Sequence, residues 1–419
     1  MLSKNCFIKA IFWGFYDTIV TKENNIIQDV INVIQDLHRQ DIKIAILANE
    51  PSRHRIKEIC SKYQLPIDLI VTPEYIRKKK PSPEFVYYAC ERLGVKPNQT
   101  IYIGSHPRTD LFCAHNAKIF FFTANWFLQK EDIEYALRLD TPQELISYLN
   151  IFFSKRYPWS WIVNDTRFGY PVKIRALMPY AQSADDSKIR ELSKYAVQIK
   201  WGQHNVVQFF SLHLLTSLYL ENIHDYKYWI IYPSSEPGKR NTLLNNIFEY
   251  IIRFFHSKEK FDNIDKIIVR LHKAEKSAYT RSQGKSVDFL NQTGTVGLDE
   301  EFASKIEKRT VLVIDDFTTE GFSFECARNL LFSVGAKDVI CVAIGVSSRY
   351  PSSKKYYAQK ICSHRNIVHE EKPFLMLKPS NNREECNAHY YPECVEDLYN
   401  SMLLFKKIQQ HNLNSEPIF

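Results

Sequence analysis

Across residues 1–150, short apolar runs alternate with amphipathic stretches, and this alternation leaves few folds open. The runs Ile8–Phe15, Lys43–Asn49, Leu69–Thr72, Thr100–Gly104 and Lys118–Thr123 read as strands. Helical patterns lie between them at about 25–38, 53–62, 83–93 and 108–116, with a fifth near 131–139 and a sixth near 142–153. Strands separated by helices cannot pair as hairpins. The crossovers dictate a parallel sheet covered by helices on both faces.

The pattern repeats further along. A long helical segment spans about 186–220, strands are expected at Tyr228–Tyr232, Lys266–Arg270, Thr310–Ile314 and Asp338–Val346, and helices at about 241–257 and 323–334. Between the two α/β regions, the aromatic stretch 154–170 reads as a linker. From about Cys362 the chain is less regular and closes in an amphipathic helix near 393–410. The expected domains are therefore 1–153, 171–361 and a C-terminal extension at 362–419. A length of 419 residues suits two such domains.

Composition bounds the function classes. Apolar residues make up 45% and charged residues 24%, which excludes a disordered or fibrous chain. No apolar run approaches the roughly 18 residues of a membrane span, so no membrane contact is expected. Lys and Arg exceed Asp and Glu, 55 to 47, for a net charge of +8. That mild excess suits phosphorylated ligands and leaves nucleic-acid contact, a protein partner or a homo-oligomer open. The nine cysteines show no paired framework and the N-terminus no secretion signal, so the expected location is cytoplasmic, with reduced thiols.

The sharpest motif is Val311-Leu-Val-Ile-Asp315-Asp316-Phe-Thr-Thr319-Glu-Gly321-Phe-Ser323: an apolar strand, two acids, then a small-residue loop opening a helix. Carboxylates there sit at the carboxyl edge of a parallel sheet, where α/β proteins bind ligands. The hydroxyls and backbone N–H groups of the loop can cradle a phosphate at the helix N-terminus. The acids cannot face that phosphate; they suit sugar hydroxyls or Mg²⁺. The plainer reading is a loop or capping pair before a helix.

This run resembles the phosphoribosyl-pyrophosphate (PRPP) signature of type I phosphoribosyltransferases, over about residues 165–360. The resemblance implies that Asp315 and Asp316 hold the ribose hydroxyls and that Thr318, Thr319, Glu320, Gly321, Phe322 and Ser323 hold the 5′-phosphate. Ser234, Ser235, Gly238, Lys239 and Arg240, after the Tyr228–Tyr232 strand, occupy the place of the pyrophosphate loop. The polar stretch Lys273–Gly297 occupies that of the mobile flap, with Lys276, Arg281 and Lys285 available to close over the leaving diphosphate. Mg²⁺ would arrive with PRPP. Position 320 is usually Ser or Thr in the signature, and Glu320 departs from it. The nucleobase and the direction of reaction stay open.

The first domain resembles the haloacid dehalogenase (HAD) superfamily, whose phosphatases carry an Asp nucleophile at the end of the first strand. Here Gly14 stands in that place, followed by Tyr16, Asp17 where Gly is usual, and Thr18. Asn49 replaces the hydroxyl residue that ends the second strand, and Lys80-Pro81 keeps the third motif. The fourth, Gly104-Ser105 through Asp110, keeps only its second acid. The family holds Mg²⁺ mainly with acids of motifs one and four, of which Asp110 alone remains. The resemblance implies a pseudo-phosphatase, and the short gaps between motifs leave no room for a large cap. The expected architecture is two Rossmann-like α/β domains with parallel sheets, a capless HAD-like one and a phosphoribosyltransferase-like one. A second reading makes this fusion a nucleotide-sensing effector or regulator in a toxin or phage-defence setting, by analogy of architecture alone.

Other signals weigh less. Cys386, His389 and Cys394, with Cys362 or His364, have half the look of a zinc site, but the spacing matches no standard finger. The basic run Arg77–Lys80 reads as a residual phosphate-binding patch or, more plainly, a solvated helix edge; the aromatic cluster at 152–170, with Lys155, Arg156 and Arg167, could stack bases but reads more plainly as interdomain packing.

Overall fold

The computed structural model describes residues 1–127, 137–167, 169–224, 228–239, 244–247, 251, 265–274, 289–347, 355–378 and 382–414. The chain divides into two units. The first comprises Met1–Arg156 with Leu215–Asp225 and Ile251–Ser257, and the second holds the remainder.

The first unit is built on six strands: β1 (Ala10–Trp13), β2 (Lys43–Leu47), β3 (Leu69–Val71), β4 (Thr100–Gly104), β5 (Phe120–Ala124) and β6 (Leu137–Leu139). They lie in the order β3-β2-β1-β4-β5-β6, and every pair is parallel. Ile11, Phe12, Trp13, Ile44, Ile46, Ile101, Ile103 and Phe120–Phe122 are buried. A sheet covered on both faces needs such uninterrupted apolar runs, which is why these strands show in the sequence. Helices Gln28–Arg39, His54–Lys62, Glu84–Leu93 and Pro142–Phe152 match the expected periodicity. The helix expected near 131–139 does not end as one. Leu137–Leu139 is the edge strand β6, alternating buried and exposed residues, and 131–136 lie outside the described residues.

The second unit holds two sheets. Its strands are β7 (Trp161–Asp165), β8 (Val172–Tyr180), β9 (Tyr228–Ile231), β10 (Ile268–Arg270), β11 (Val296–Asp299), β12 (Thr310–Thr318), β13 (Asp338–Ser347), β14 (Lys355–Gln359), β15 (His364–His369), β16 (Lys372–Leu377) and β17 (Arg383–Tyr390). A seven-stranded sheet runs β14-β17-β7-β8-β13-β12-β9, and a four-stranded sheet runs β10-β11-β16-β15. Only β8, β13, β12 and β9 form a parallel block. The pairings β7–β8, β17–β7 and β14–β17 are antiparallel, as is the whole smaller sheet.

Three expectations are corrected here. The supposed linker 154–170 carries β7, which pairs with β8 and β17 in the large sheet. The supposed extension 362–419 supplies β15, β16 and β17 and the helix Pro392–Asn414. β15 and β17 have a solvated side and few consecutive apolar residues, so the pattern there reads as irregular, although Phe374–Leu377 of β16 is buried throughout. The long helix at 186–220 is broken: a helix Ser187–Val197, capped by the Asp186 carboxylate, passes through a 3₁₀ turn to Gly202, whose φ of 67° ends it before the helix His204–Leu220. The helix expected at 241–257 falls mostly outside the described residues. Among the described residues no helix is long and apolar enough to cross a membrane.

Candidate functional site

In the first unit the carboxyl ends of β1, β2 and β4 bring the four motif remnants together. Lys80 Nζ donates to Leu47 O (2.8 Å), Tyr102 Oη (3.0 Å) and Asp110 Oδ1 (2.5 Å). Tyr102 Oη donates to the same Asp110 oxygen at 2.9 Å, and the backbone N–H groups of Ser105 and His106 donate to Oδ2 at 3.2 Å. Burial opposes ionisation of Asp110, but the Lys80 ammonium and these hydrogen bonds outweigh it and hold the carboxyl below its ordinary value. Burial, then the Asp110 charge, push the Tyr102 phenol well above its own. Asn49 closes a reciprocal pair with the Lys80 backbone: its Oδ1 accepts from Lys80 N at 2.7 Å and its Nδ2 donates to Lys80 O at 3.3 Å.

Gly14 sits where β1 ends, its N–H donating to Ile103 O. A side chain there would start 3.0 Å from both Asp110 Oδ2 and Thr18 Oγ1. Gly104 is tighter still, since a Cβ would lie 2.5 Å from that of Asp110. Asp17, in the left-handed region at φ 57°, aims its carboxylate at His106, with Oδ2 3.5 Å from Nε2. His106 Nδ1 lies 2.9 Å from Ser105 Oγ. A cavity of about 480 Å³ opens beside this cluster, and its lining includes Phe15, Tyr16, Lys22, Asn49, Arg55, Lys80, His106 and Asp110.

These residues do not fit a divalent cation. Gly14 has no donor atom, Ser105 replaces one acid, and both oxygens of Asp110 are taken by an ammonium, a phenol and two amides. Among the described residues no group of three His, Cys, Asp or Glu side chains is placed to hold a metal. That covers Cys362, His364, Cys386, His389 and Cys394; Cys394 Sγ instead donates to Trp159 O.

Residues 3–124 match the family of haloacid dehalogenase-like hydrolases. The first unit is a HAD-like hydrolase domain. Its curated relatives include N-acylneuraminate-9-phosphatase of Homo sapiens, 30% identical over 94 residues, which cover 22% of this chain and 36% of that protein. Another is phosphoglycolate phosphatase of Mannheimia succiniciproducens, 25% identical over 114 residues, covering 26% and 49%. The chain thus spans between a third and a half of these relatives' length. Among solved structures, a HAD phosphatase from Thermococcus onnurineus is 23% identical with a TM-score of 0.28, covering 30% of this chain and 58% of that one.

In the second unit, Asp315 and Asp316 lie near the carboxyl end of β12, between β13 and β9. Asp315 Oδ1 accepts from Asp316 N at 2.9 Å, and Asp316 Oδ1 accepts from Phe317 N at 2.7 Å. Burial, then the charge of Asp316, push the Asp315 carboxyl well above its ordinary value, while a hydrogen bond to Ser323 works the other way. Thr318 is still in the strand. Thr319 and Glu320, both half-buried, form the loop, and Gly321 at φ 74° caps the helix Phe322–Ser333. Residues 318–323 therefore meet at one helix N-terminus.

The second loop begins beside them, since Tyr232 N donates to Ile314 O. Ser234 Oγ donates to Lys239 O at 2.7 Å and Glu236 O at 3.1 Å, and Lys239 Nζ pairs with Glu236 at 3.4 Å. Ser235 O accepts from Ala274 N, and Gly238 adopts φ 68°. Arg240 and the flap residues Lys276, Arg281 and Lys285 lie outside the described residues. The far end of the expected flap carries the helical turn Leu290–Thr293 and β11.

Two residues that the sequence reading missed hold these loops. Arg270, buried at the end of β10, donates to Ser234 O at 2.8 Å and Thr295 Oγ1 at 2.5 Å, its guanidinium 5.6 Å from the Tyr232 ring centre. Tyr356 on β14 packs so closely under Gly321 that a Cβ there would meet its Oη at 2.4 Å. No local pattern marks either residue, because each acts on a segment far away in the chain.

Proposed function

We propose that the second unit is a phosphoribosyltransferase-like domain that binds PRPP and transfers its ribosyl 5-phosphate to, or removes it from, a nucleobase or nucleotide-like metabolite. The observation that carries this reading is the adjacency of two loops on neighbouring parallel strands. The Gly321-capped helix after Asp315–Asp316 faces the same edge as the loop that leaves β9 at Tyr232. A helix N-terminus and its free amides suit a phosphate, and half-buried Asp316 suits ribose hydroxyls. In this reading Asp315 and Asp316 position the sugar, residues 318–323 hold its 5′-phosphate, and Ser234 to Arg240 hold the diphosphate. Mg²⁺ would enter bound to the diphosphate, where it neutralises leaving-group charge. The protein's contribution is positioning and electrostatic support of a cationic transition state, with no covalent nucleophile.

The first unit, on this reading, does not hydrolyse phosphoesters. Its relatives are phosphatases, but the family's attack needs a carboxylate at the end of β1, and Gly14 offers none.

Calorimetric titration of the full chain with PRPP, with and without Mg²⁺, tests the proposal. Metal-dependent binding that Asp316→Asn abolishes, with PRPP consumption falling in parallel, is the expected result. Absence of binding, or binding indifferent to Asp316→Asn, overturns it.

A further inference from the structure

The cavity of the first unit keeps its volume although the group that would do chemistry beside it is absent. Its charges are arranged differently from those of a cation site. Asp110 carries one negative charge, and the Lys80 ammonium cancels it within a hydrogen-bonded cluster that leaves neither group an open position. A Mg²⁺ ion would find Asp110 already neutralised and would have to displace a buried ammonium to reach it.

The mouth has the opposite character. Lys22 and Arg55 line it, both exposed, and neither is held in an ion pair among the described residues. Arg55 lies over the Tyr16 ring at 5.9 Å, and Tyr16 meets Phe15 edge to face at 5.0 Å. Glu50 is the other acid of the lining, so the mouth carries two cations to one carboxylate. His106 adds a polar group fixed between Asp17 and Ser105. Two exposed cations, one carboxylate, an aromatic wall and the His106 imidazole surround about 480 Å³, a volume that suits a small organic ligand. Cations recognise the anionic group, and the aromatic wall recognises a flat body.

We propose that this cavity binds a planar organic anion without any divalent cation and without turning it over. The Lys80 ammonium already neutralises Asp110, so no uncompensated acid there calls for a metal, and the anion's charge is met by Lys22 and Arg55. The inference is independent of the ligand of the second unit.

The test uses the full chain and two probes, p-nitrophenyl phosphate and p-nitrobenzoate, titrated calorimetrically in EDTA and again in excess Mg²⁺. Release of p-nitrophenolate is followed by absorbance. The expected result is binding of at least one probe with dissociation constants in EDTA and Mg²⁺ agreeing within about twofold, and no p-nitrophenolate. Lys22→Ala/Arg55→Ala, two exposed substitutions whose folding is checked by thermal melting, weakens that binding at least tenfold. Which probe binds tells whether the anionic group is a phosphate or a carboxylate. Binding that requires Mg²⁺, hydrolysis of the ester, binding unaffected by the double substitution, or no binding of either probe overturns the proposal.

Discussion

Asp110, in the helical turn after β4, and Asp315, near the end of β12, are both buried acids, and their surroundings drive them in opposite directions. For Asp110 burial is outweighed by Lys80, so its folded-state carboxyl titrates below the unfolded one. Its stabilisation is complete above the ordinary carboxylate range and is lost as pH falls through the folded value. Asp110→Asn strands the Lys80 ammonium, and we expect a loss of about 3–5 kcal/mol at neutral pH that shrinks toward acid. Urea unfolding from about pH 7 to pH 3 checks this, and a pH-independent difference contradicts it. For Asp315, burial and the neighbouring Asp316 favour the protonated form. That contribution is complete below the ordinary carboxylate range and is lost as pH rises through the raised folded value, so ionisation at neutral pH costs stability. Asp315→Asn should therefore raise the melting temperature near pH 7, with the gain vanishing toward pH 4. If Asp315 binds the sugar as proposed, a gain in stability on neutralising it is the usual trade between function and stability.

At the scale of the element, the helix Phe322–Ser333 shows how a loop acquires a fixed shape. Glu325 and Arg328, one turn apart, are almost wholly buried and pair at 2.7 Å. Glu325 also accepts from Tyr356 Oη at 2.8 Å and Gln359 N at 2.7 Å, while Arg328 donates to Gln359 O at 2.6 Å. The first turns of the helix are thus locked to β14, and Tyr356 sets Gly321 from below. Removing one partner leaves a buried charge: Arg328→Met should cost about 3–5 kcal/mol, whereas Glu325→Gln/Arg328→Met should be less destabilised than the sum of the single changes. Denaturant unfolding of the three variants measures the coupling. Strict additivity would show that the pair does not act as one unit.

At the scale of the whole molecule, all nine cysteines are free and buried, four in the first unit and five in the second. Burial pushes the thiols of Cys60, Cys90, Cys113, Cys326 and Cys386 up to about 12. An aromatic disulfide reagent should therefore label the native chain slowly and all nine thiols at once in strong denaturant. Peptide mapping at intermediate denaturant then assigns the opening of each unit separately. Rapid labelling of any of the nine in the native chain contradicts the packing described here.

The alternation of apolar runs located β1 to β5 of the first sheet and β9, β12 and β13 of the second, because strands buried on both faces must be continuously apolar; it missed β6 and β8 and placed β10, which pairs antiparallel, in the parallel pattern. The same logic located the motif ends, since Gly14, Asn49, Asp110, Asp315 and Gly321 sit where such runs stop. What only the tertiary structure decided lies where that logic has no grip. Strands β7, β15 and β17 bury one side at most, so they read as a linker and an irregular tail, and β14, also half-exposed, is not legible as a strand at all. The partners that give each site its character, Tyr102 and Lys80 for Asp110, Arg270 for the β9 loop and Tyr356 for Gly321, approach from distant segments. Local sequence records which groups a strand end presents, whereas the charge those groups carry depends on what the fold packs against them.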